Sequence, residues 1–242
     1  MSASLSVQSC SRCSHPAVIH QIYSGQHLCQ SHLAKSIRKR VSKTLRAQLN
    51  LPSDARDENG NPSVILVCIS GGKDSAVLLE RIHENLGKRR DVTIVGGCVD
   101  EGIEGYRPPS LECARKLCED LGVRFETVSY PELGFKEMDE VAGKIIATND
   151  KKTPCSYCGV FRRQGINHLA TRVGADVIAL GHNLDDMAQT IMMNMQNGDL
   201  ERTLRLAPHT NSPIEGMAPR IVPLRWVPEQ EIHLYALHRN LP

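Results

Sequence analysis

Three groups of residues have the types and spacing to do chemistry. The first is Ser70-Gly71-Gly72-Lys73-Asp74-Ser75. Its two glycines permit positive φ and close backbone approach, so successive N–H groups can face an anion. Two hydroxyls and the Lys73 ammonium add donors and charge, and a helix opening at the loop adds the positive end of its dipole. This is a phosphate cradle, yet its spacing is neither that of a Walker A loop nor G-x-G-x-x-G. The second group is Cys10-x2-Cys13 followed, after fifteen intervening residues, by Cys29-x2-His32. That is four-ligand spacing for a structural zinc ion, each pair clamping one side of a tetrahedron. The third is Cys155-x2-Cys158, with Thr153 and Pro154 before it and Gly159, Arg162 and Arg163 after. Such a pair suits a redox dithiol, half a zinc site or two ligands of an iron–sulfur cluster.

Two further loops supply polar groups. Asp100-Glu101-Gly102-Ile103-Glu104-Gly105-Tyr106-Arg107 carries acids that can hold Mg²⁺ or a ribose. Gly181-His182-Asn183-Leu184-Asp185-Asp186 puts a glycine where close approach to a nucleotide is useful, with His182 beside it. Asp185 and Asp186 fall in the first turn of a helix, where carboxylates stabilise the dipole. That accounts for at least one of them and leaves the other for a metal or a general base.

The elements that must position these loops follow from periodicity. Val64 to Ile69 is a continuous apolar run, as in a parallel strand buried on both faces. Further strands are predicted over 92–99, 124–129, 175–180 and 221–226, and helices over 35–49, 76–85, 109–121, 135–147, 161–173, 184–197 and 229–240. Residues 51–63 and 205–220 read as loops. Alternating strands and helices predict an α/β fold, a doubly wound parallel sheet. In such sheets ligands bind at the carboxyl ends of the strands, where Ser70, Asp100 and Gly181 stand. The expected organisation is a zinc-binding module over 1–33, a basic helix and linker over 34–63, and an ATP-binding catalytic domain from 64 to 242.

The bulk properties exclude little. The 242 residues carry a net charge of only +2, so a nucleic-acid partner is not announced by charge alone. Lys35, Arg38, Lys39, Arg40, Lys43 and Arg46 nevertheless form a run without acidic residues, equally readable as a phosphate-binding patch or a solvated helix face. No apolar run is long enough to span a bilayer, and the N-terminus lacks the apolar core of a secretory signal. The nine cysteines then belong to a reducing compartment, with Cys68, Cys98, Cys113 and Cys118 read as ordinary buried or helical residues.

Together, the S-G-G-x-D-S loop, the N-terminal Cys/His pairs, D-E-G-I-x-G-Y-R, C-S-Y-C-G and G-H-N-x-D-D resemble the cytoplasmic tRNA 2-thiolation proteins. These are PP-loop ATP pyrophosphatases that include TtuA-type enzymes and wobble-uridine thiolases. The resemblance covers nearly the whole chain, with Glu231 and Tyr235 in a further matching block. It implies that Ser70, Gly71, Gly72, Asp74 and Ser75 hold ATP, accompanied by Mg²⁺, while Gly181 and Asp100 border the adenosine. It implies that Asp186 is the catalytic carboxylate and that Arg162 stands beside a [4Fe–4S] cluster ligated by Cys155 and Cys158. By the same resemblance a third cluster cysteine and a second zinc module lie beyond the segment matching Leu237–Pro242, so the chain is expected to be either incomplete at its C-terminus or a form that has lost the third ligand. The implied reaction is adenylation of the uridine C2 oxygen followed by sulfur transfer. Its partners are tRNA and a ubiquitin-like sulfur carrier, and the resemblance allows a homodimer or heteromer. The alternatives are a cytidine thiolase, a lysidine synthase, an amidotransferase-type synthetase, or a non-catalytic tRNA-binding subunit with a nucleotide-sensing domain.

Overall fold

In the computed structural model, residues 8–148, 153–204, 206, 208 and 217–242 are described. A five-stranded parallel sheet has the strand order β5-β4-β3-β6-β7. Its strands are β3 (Ser63–Cys68), β4 (Val92–Asp100), β5 (Arg124–Ser129), β6 (Val177–Ala179) and β7 (Arg220–Ile221). The chain starts at the centre with β3, fills one side with β4 and β5, then returns to place β6 on the other side of β3. The order therefore reverses about β3, and the crevice at the carboxyl ends of β3, β4 and β6 is where such folds bind ligands.

Both faces of the sheet are covered, which is why β3 reads as an unbroken apolar run. Ile65 and Val67 join one core with α1 (Gln30–Leu49), α2 (Lys73–Leu86), α3 (Arg107–Asp120) and α8 (Glu229–Arg239). Leu66 points the other way, into a second core with Val95, Val99, Ile178 and Leu169 of α5 (Pro154–Val173). Met138 of α4 (Met138–Thr148) joins that core. Two further helices follow β6, α6 (Leu184–Gln196) and the short α7 (Leu200–Leu204).

Several bounds differ from expectation for local reasons. Helix α5 begins at Pro154, not Phe161, because Pro154 occupies the first turn, where its missing N–H costs nothing, and Thr153 supplies extended backbone before it. The Cys155–Cys158 pair is thus on a helix. Helix α1 begins at Gln30 and so carries His32. The strand expected over 221–226 is only Arg220–Ile221, and Leu224 and Val227 are buried in turns beyond it. Helix α7 was not anticipated, and most of the loop expected over 205–220 lies outside the described residues.

The N-terminal segment is an antiparallel hairpin of β1 (Ile19–Gln21) and β2 (Gln26–Leu28) leading into α1. It has no core of its own. Ile19, Leu28 and Leu33 are buried in the same cluster as α2 and α8. One polar junction fixes the hairpin to α8. Glu231, 1% exposed, accepts hydrogen bonds from Gln21 Nε2 at 3.0 Å and Tyr23 Oη at 2.5 Å, and it pairs with Arg40 of α1. Burial and the neighbouring Glu231 carboxylate hold the Tyr23 phenol well above its ordinary range, so it stays a donor.

Candidate functional site

The nucleotide loop leaves β3 and opens α2. Gly71 has φ +88, and a Cβ there would run into the Ser110 backbone carbonyl, so the position tolerates only glycine. Gly72 caps α2 in extended conformation without a side-chain cap, leaving the first N–H groups of the helix available to an anion. Ser75 Oγ accepts from Ser70 N at 3.1 Å and donates to Gly72 O at 2.8 Å, which closes the loop on itself. Gly181, at the end of β6, approaches the start of α2, where a Cβ would meet Ser75 at 3.5 Å. That is ordinary contact, so its lack of a side chain is a convenience rather than a necessity there.

A cavity of about 370 Å³ lies over this loop. Ser70, Asp74, Ser75, Gly181 and His182 form part of its wall, as the sequence suggested, and Glu101, Arg107 and Arg162 complete it. The size suits a small-molecule ligand. Lys73 Nζ lies 3.1 Å from Asp74 and 2.8 Å from Glu229, at the N-terminus of α8. Asn183 Nδ2 donates to Asp74 Oδ1 at 3.1 Å.

The acidic loop does something the sequence did not reveal. Glu101 is 3% exposed and clamps two arginines. One oxygen lies 2.8 Å from Arg107 Nε and the other 3.0 Å from Arg162 Nε. Arg107 in turn donates to Ser70 O at 3.2 Å and bonds Val99 O, and Arg162 Nη2 lies 3.4 Å from Cys158 Sγ. A continuous polar chain therefore runs from the nucleotide loop to the Cys158 thiol. Glu101 is spent on this clamp and is not the free metal or ribose ligand its loop suggested. Asp100 accepts from Gly102 N at 3.0 Å, within its own turn. Sequence reading singled out Arg162 but missed the clamp, since nothing in the spacing says that two cations converge on one buried acid.

Cys155 and Cys158 lie on the first turn of α5, three residues apart and so on one face. Cys155 is exposed and Cys158 half-buried. Tyr130 Oη donates to Cys158 O at 3.1 Å and lies 3.4 Å from its sulfur. Two thiols offer two corners to an iron–sulfur cluster, which needs more. Among the described residues no further His, Cys, Asp or Glu joins them in a metal-holding group. The remaining inner cysteines are poor competitors: burial pushes the Cys68 thiol up to about 12 and the Cys98 thiol up to about 11.

The two aspartates of α6 have structural work. Asn183 and Asp186 form a reciprocal capping box, Asp186 Oδ2 accepting from Asn183 N at 3.0 Å. Asp185 accepts from Glu229 N at 2.7 Å and so ties α6 to α8. Neither belongs to the cavity wall.

The Cys/His group is well formed. Cys10, Cys13 and Cys29 lie 3.4, 3.5 and 3.3 Å from His32 Nδ1, and Cys13 lies 3.6 Å from Cys29. A tetrahedron with metal–sulfur bonds of about 2.3 Å has edges of about 3.7 Å, so the four donors fit such an ion. Desolvation opposes ionisation of Cys10, but N–H donors from Cys29 and Arg12 outweigh it and bring the thiol down to about 6. A thiolate is the form a metal binds.

Comparison with known proteins agrees with this geometry. Residues 9–34 match the family described as the N-terminal LIM domain of 2-thiouridine synthetase TtuA, and residues 38–242 match the PP-loop domain. The tRNA 2-thiolation protein NcsA of Haloferax volcanii is 40% identical over 242 residues, covering 96% of this chain and 73% of that protein. Cytoplasmic tRNA 2-thiolation protein 1 of Drosophila ananassae is 35% identical over 233 residues, covering 96% of this chain and 64% of that one. The structure of the U34-tRNA thiolase NcsA from Methanococcus maripaludis with its [4Fe–4S] cluster superposes with a TM-score of 0.79 at 31% identity, over 98% of this chain and 74% of that one. With both stretches matched and this identity spread over nearly its whole length, the chain belongs to the TtuA- and NcsA-type tRNA 2-thiolation family, with a PP-loop domain.

Proposed function

We propose that the protein is an ATP-dependent tRNA 2-thiouridine synthase. One observation carries the reading above the others: the polar chain Ser70–Arg107–Glu101–Arg162–Cys158 joins a nucleotide cavity to a thiol pair. A site built for phosphate alone has no use for the thiols, and a thiol site alone has no use for the cradle. The names of the relatives support tRNA as the substrate.

In this reading ATP lies in the cavity with its β- and γ-phosphates on the Ser70–Ser75 loop and the first N–H groups of α2. Mg²⁺ carried by the triphosphate neutralises part of its charge. The uridine C2 oxygen attacks the α-phosphate, the Pα–O bond to the β-phosphate breaks, and pyrophosphate stays on the loop. A sulfide then attacks C2 and AMP leaves with the former C2 oxygen. Sulfide released by hydrolysis of a carrier's thiocarboxylate balances the reaction without any oxidant or reductant. Arg162, held by Glu101, places its guanidinium beside the Cys158 sulfur, where its positive charge faces the incoming sulfide. Asp186 has one carboxylate oxygen outside the capping box for proton or metal handling, and Asp100 and Gly181 border the adenosine. Zinc on Cys10, Cys13, Cys29 and His32 holds the hairpin. A [4Fe–4S] cluster on Cys155 and Cys158, completed by further ligands, would supply a Lewis-acidic iron to bind sulfide. The protein would then work in the cytoplasm, the compartment in the Drosophila relative's name, and no described helix is long and apolar enough to cross a membrane.

The test uses full-length protein, an unmodified tRNA transcript, ATP and a sulfide source, with nucleoside mass spectrometry as the readout. Ser70→Ala and Asp186→Ala should each abolish 2-thiouridine while leaving zinc content unchanged; normal product from both would count against the assignment. The rival reading, a tRNA-binding subunit without turnover, draws on the structural duties of Asp185 and Asp186. It predicts no tRNA-dependent pyrophosphate release.

A further inference from the structure

Helix α1 is 20 residues long and contains no acidic residue. Its buried stripe is Leu33, Ile37, Val41, Thr44, Leu45 and Gln48. At about 100° of rotation per residue, Lys35, Lys39, Lys43 and Arg46 fall within about 80° of one another, on the side opposite that stripe. All four are exposed, and none pairs with a carboxylate among the described residues. The other two cations of the run are different. Arg38 is paired with Glu84 and Arg40 with Glu231, so their charge is spent within the fold. The structure thus separates a run of six basic residues into two that hold α1 in place and four that hold nothing.

The stripe leads into a cavity. Between the first turns of α1 and the end of α8 lies a space of about 300 Å³, walled by Ser31, Lys35, Arg38, His238 and Arg239. Lys35 belongs to both stripe and cavity. His238 is one of the residues around it, and its Nε2 is buried without a hydrogen-bond partner among the described residues. Glu80 and Glu84 nearby are occupied by Arg239, Arg81 and Arg38. The surface is cationic over about 16 Å of helix, from Lys35 to Arg46.

We propose that this stripe and cavity form the seat of the tRNA sugar–phosphate backbone, with a phosphate in the Lys35–His238 cavity and its neighbours along Lys39, Lys43 and Arg46. The proposal rests on the tRNA reading above and adds where the molecule lies. The placement is compatible with the chemistry: α8 runs from this cavity to Glu229, which pairs with Lys73 of the nucleotide loop, a distance of about 16 Å along 11 residues. Backbone contacts of this kind set orientation and leave base choice to the site itself.

The test is the salt dependence of binding of an unmodified tRNA transcript to the full-length protein. Each lost phosphate contact should lower the slope of log K against log salt by about 0.7–0.9. Substituting Lys35→Gln, Lys39→Gln and Lys43→Gln together should lower it by about 2–3, raise the KM for tRNA at least tenfold and leave the KM for ATP unchanged. The triple Lys→Arg variant should restore the slope, and Lys88→Gln on another exposed surface should not change it. An unchanged slope in the triple Gln variant, with a normal melting temperature, overturns the proposal even if tRNA binds elsewhere. Failure of the unsubstituted protein to bind tRNA at all overturns the tRNA reading and this one with it.

Discussion

At the scale of single residues, the site depends on a few positions that admit no substitute. Gly71 and Gly105 both have positive φ, +88 and +72. Only Gly71 also presses against a neighbour, the Ser110 backbone, whereas a Cβ at Gly105 meets nothing within 4 Å. Gly105→Ala should cost the left-handed strain alone, about 1–2 kcal/mol. Gly71→Ala adds an overpacking cost of about 1–3 kcal/mol and shifts the loop against α3. Urea midpoints of the two variants, together with ATP affinity, check this: both should fall further in Gly71→Ala, and equal losses would show that Ser110 yields freely. The residue scale also shows what a sequence withholds. The cradle, the donor set around His32 and the thiol pair were legible because each is a local spacing rule. Glu101 was not, because its meaning comes from Arg107 six residues on and Arg162 on another helix, brought together only by the sheet.

At the scale of elements, most strands and helices were legible because burial dictates their period. Val64 to Ile69 could be read as a two-faced strand, and Lys35 to Leu49 as an amphipathic helix. The misreadings cluster where a proline or an end effect decides. Pro154 starts α5 seven residues before the apolar pattern does, and the last strand is short because Pro223 lies two residues beyond Ile221. The linker over 51–63 is anchored by a contact no pattern announces. Asp91, at the foot of β4, accepts from Ala55 N at 2.7 Å and pairs with Arg89. The Arg89 guanidinium, helped by the Ala55 N–H, holds the Asp91 carboxyl well below the usual carboxylate range. A carboxylate depressed by folding contributes stability above its unfolded value of about 3.9, and that contribution fades as pH falls toward the folded value. Asp91→Asn should therefore lower the melting temperature at pH 7, and the gap from the parent should narrow progressively below about pH 4. A gap that stays constant down to pH 2 would show that the charge of Asp91 is immaterial.

At the scale of the whole molecule, the N-terminal hairpin and the parallel sheet stand on one hydrophobic cluster. Sequence spacing foretold the four-donor group, in a segment with too few apolar residues for a core of its own; Ile19, Leu28 and Leu33 belong to the same buried cluster as Ile82 and Tyr235. In protein loaded with zinc at the four-donor group, chelation or Cys13→Ser should therefore shift a single thermal transition downward by about 5–10 °C. Metal content and calorimetry on the same sample check this, and two separate transitions would show independent bodies. The Glu231 junction carries the point into inheritance. Residues 9–34 and 38–242 match two different family descriptions, as if they were pieces that recombination can exchange. Glu231, however, lies in the second piece and takes two of its partners, Gln21 and Tyr23, from the first. A chimera that exchanged the hairpin for one without those donors would leave a buried carboxylate with Arg40 alone, at the cost of an under-satisfied charge. Exchange of either piece is thus constrained by the other, since a change at Gln21 or Tyr23 alters what α8 can carry at position 231.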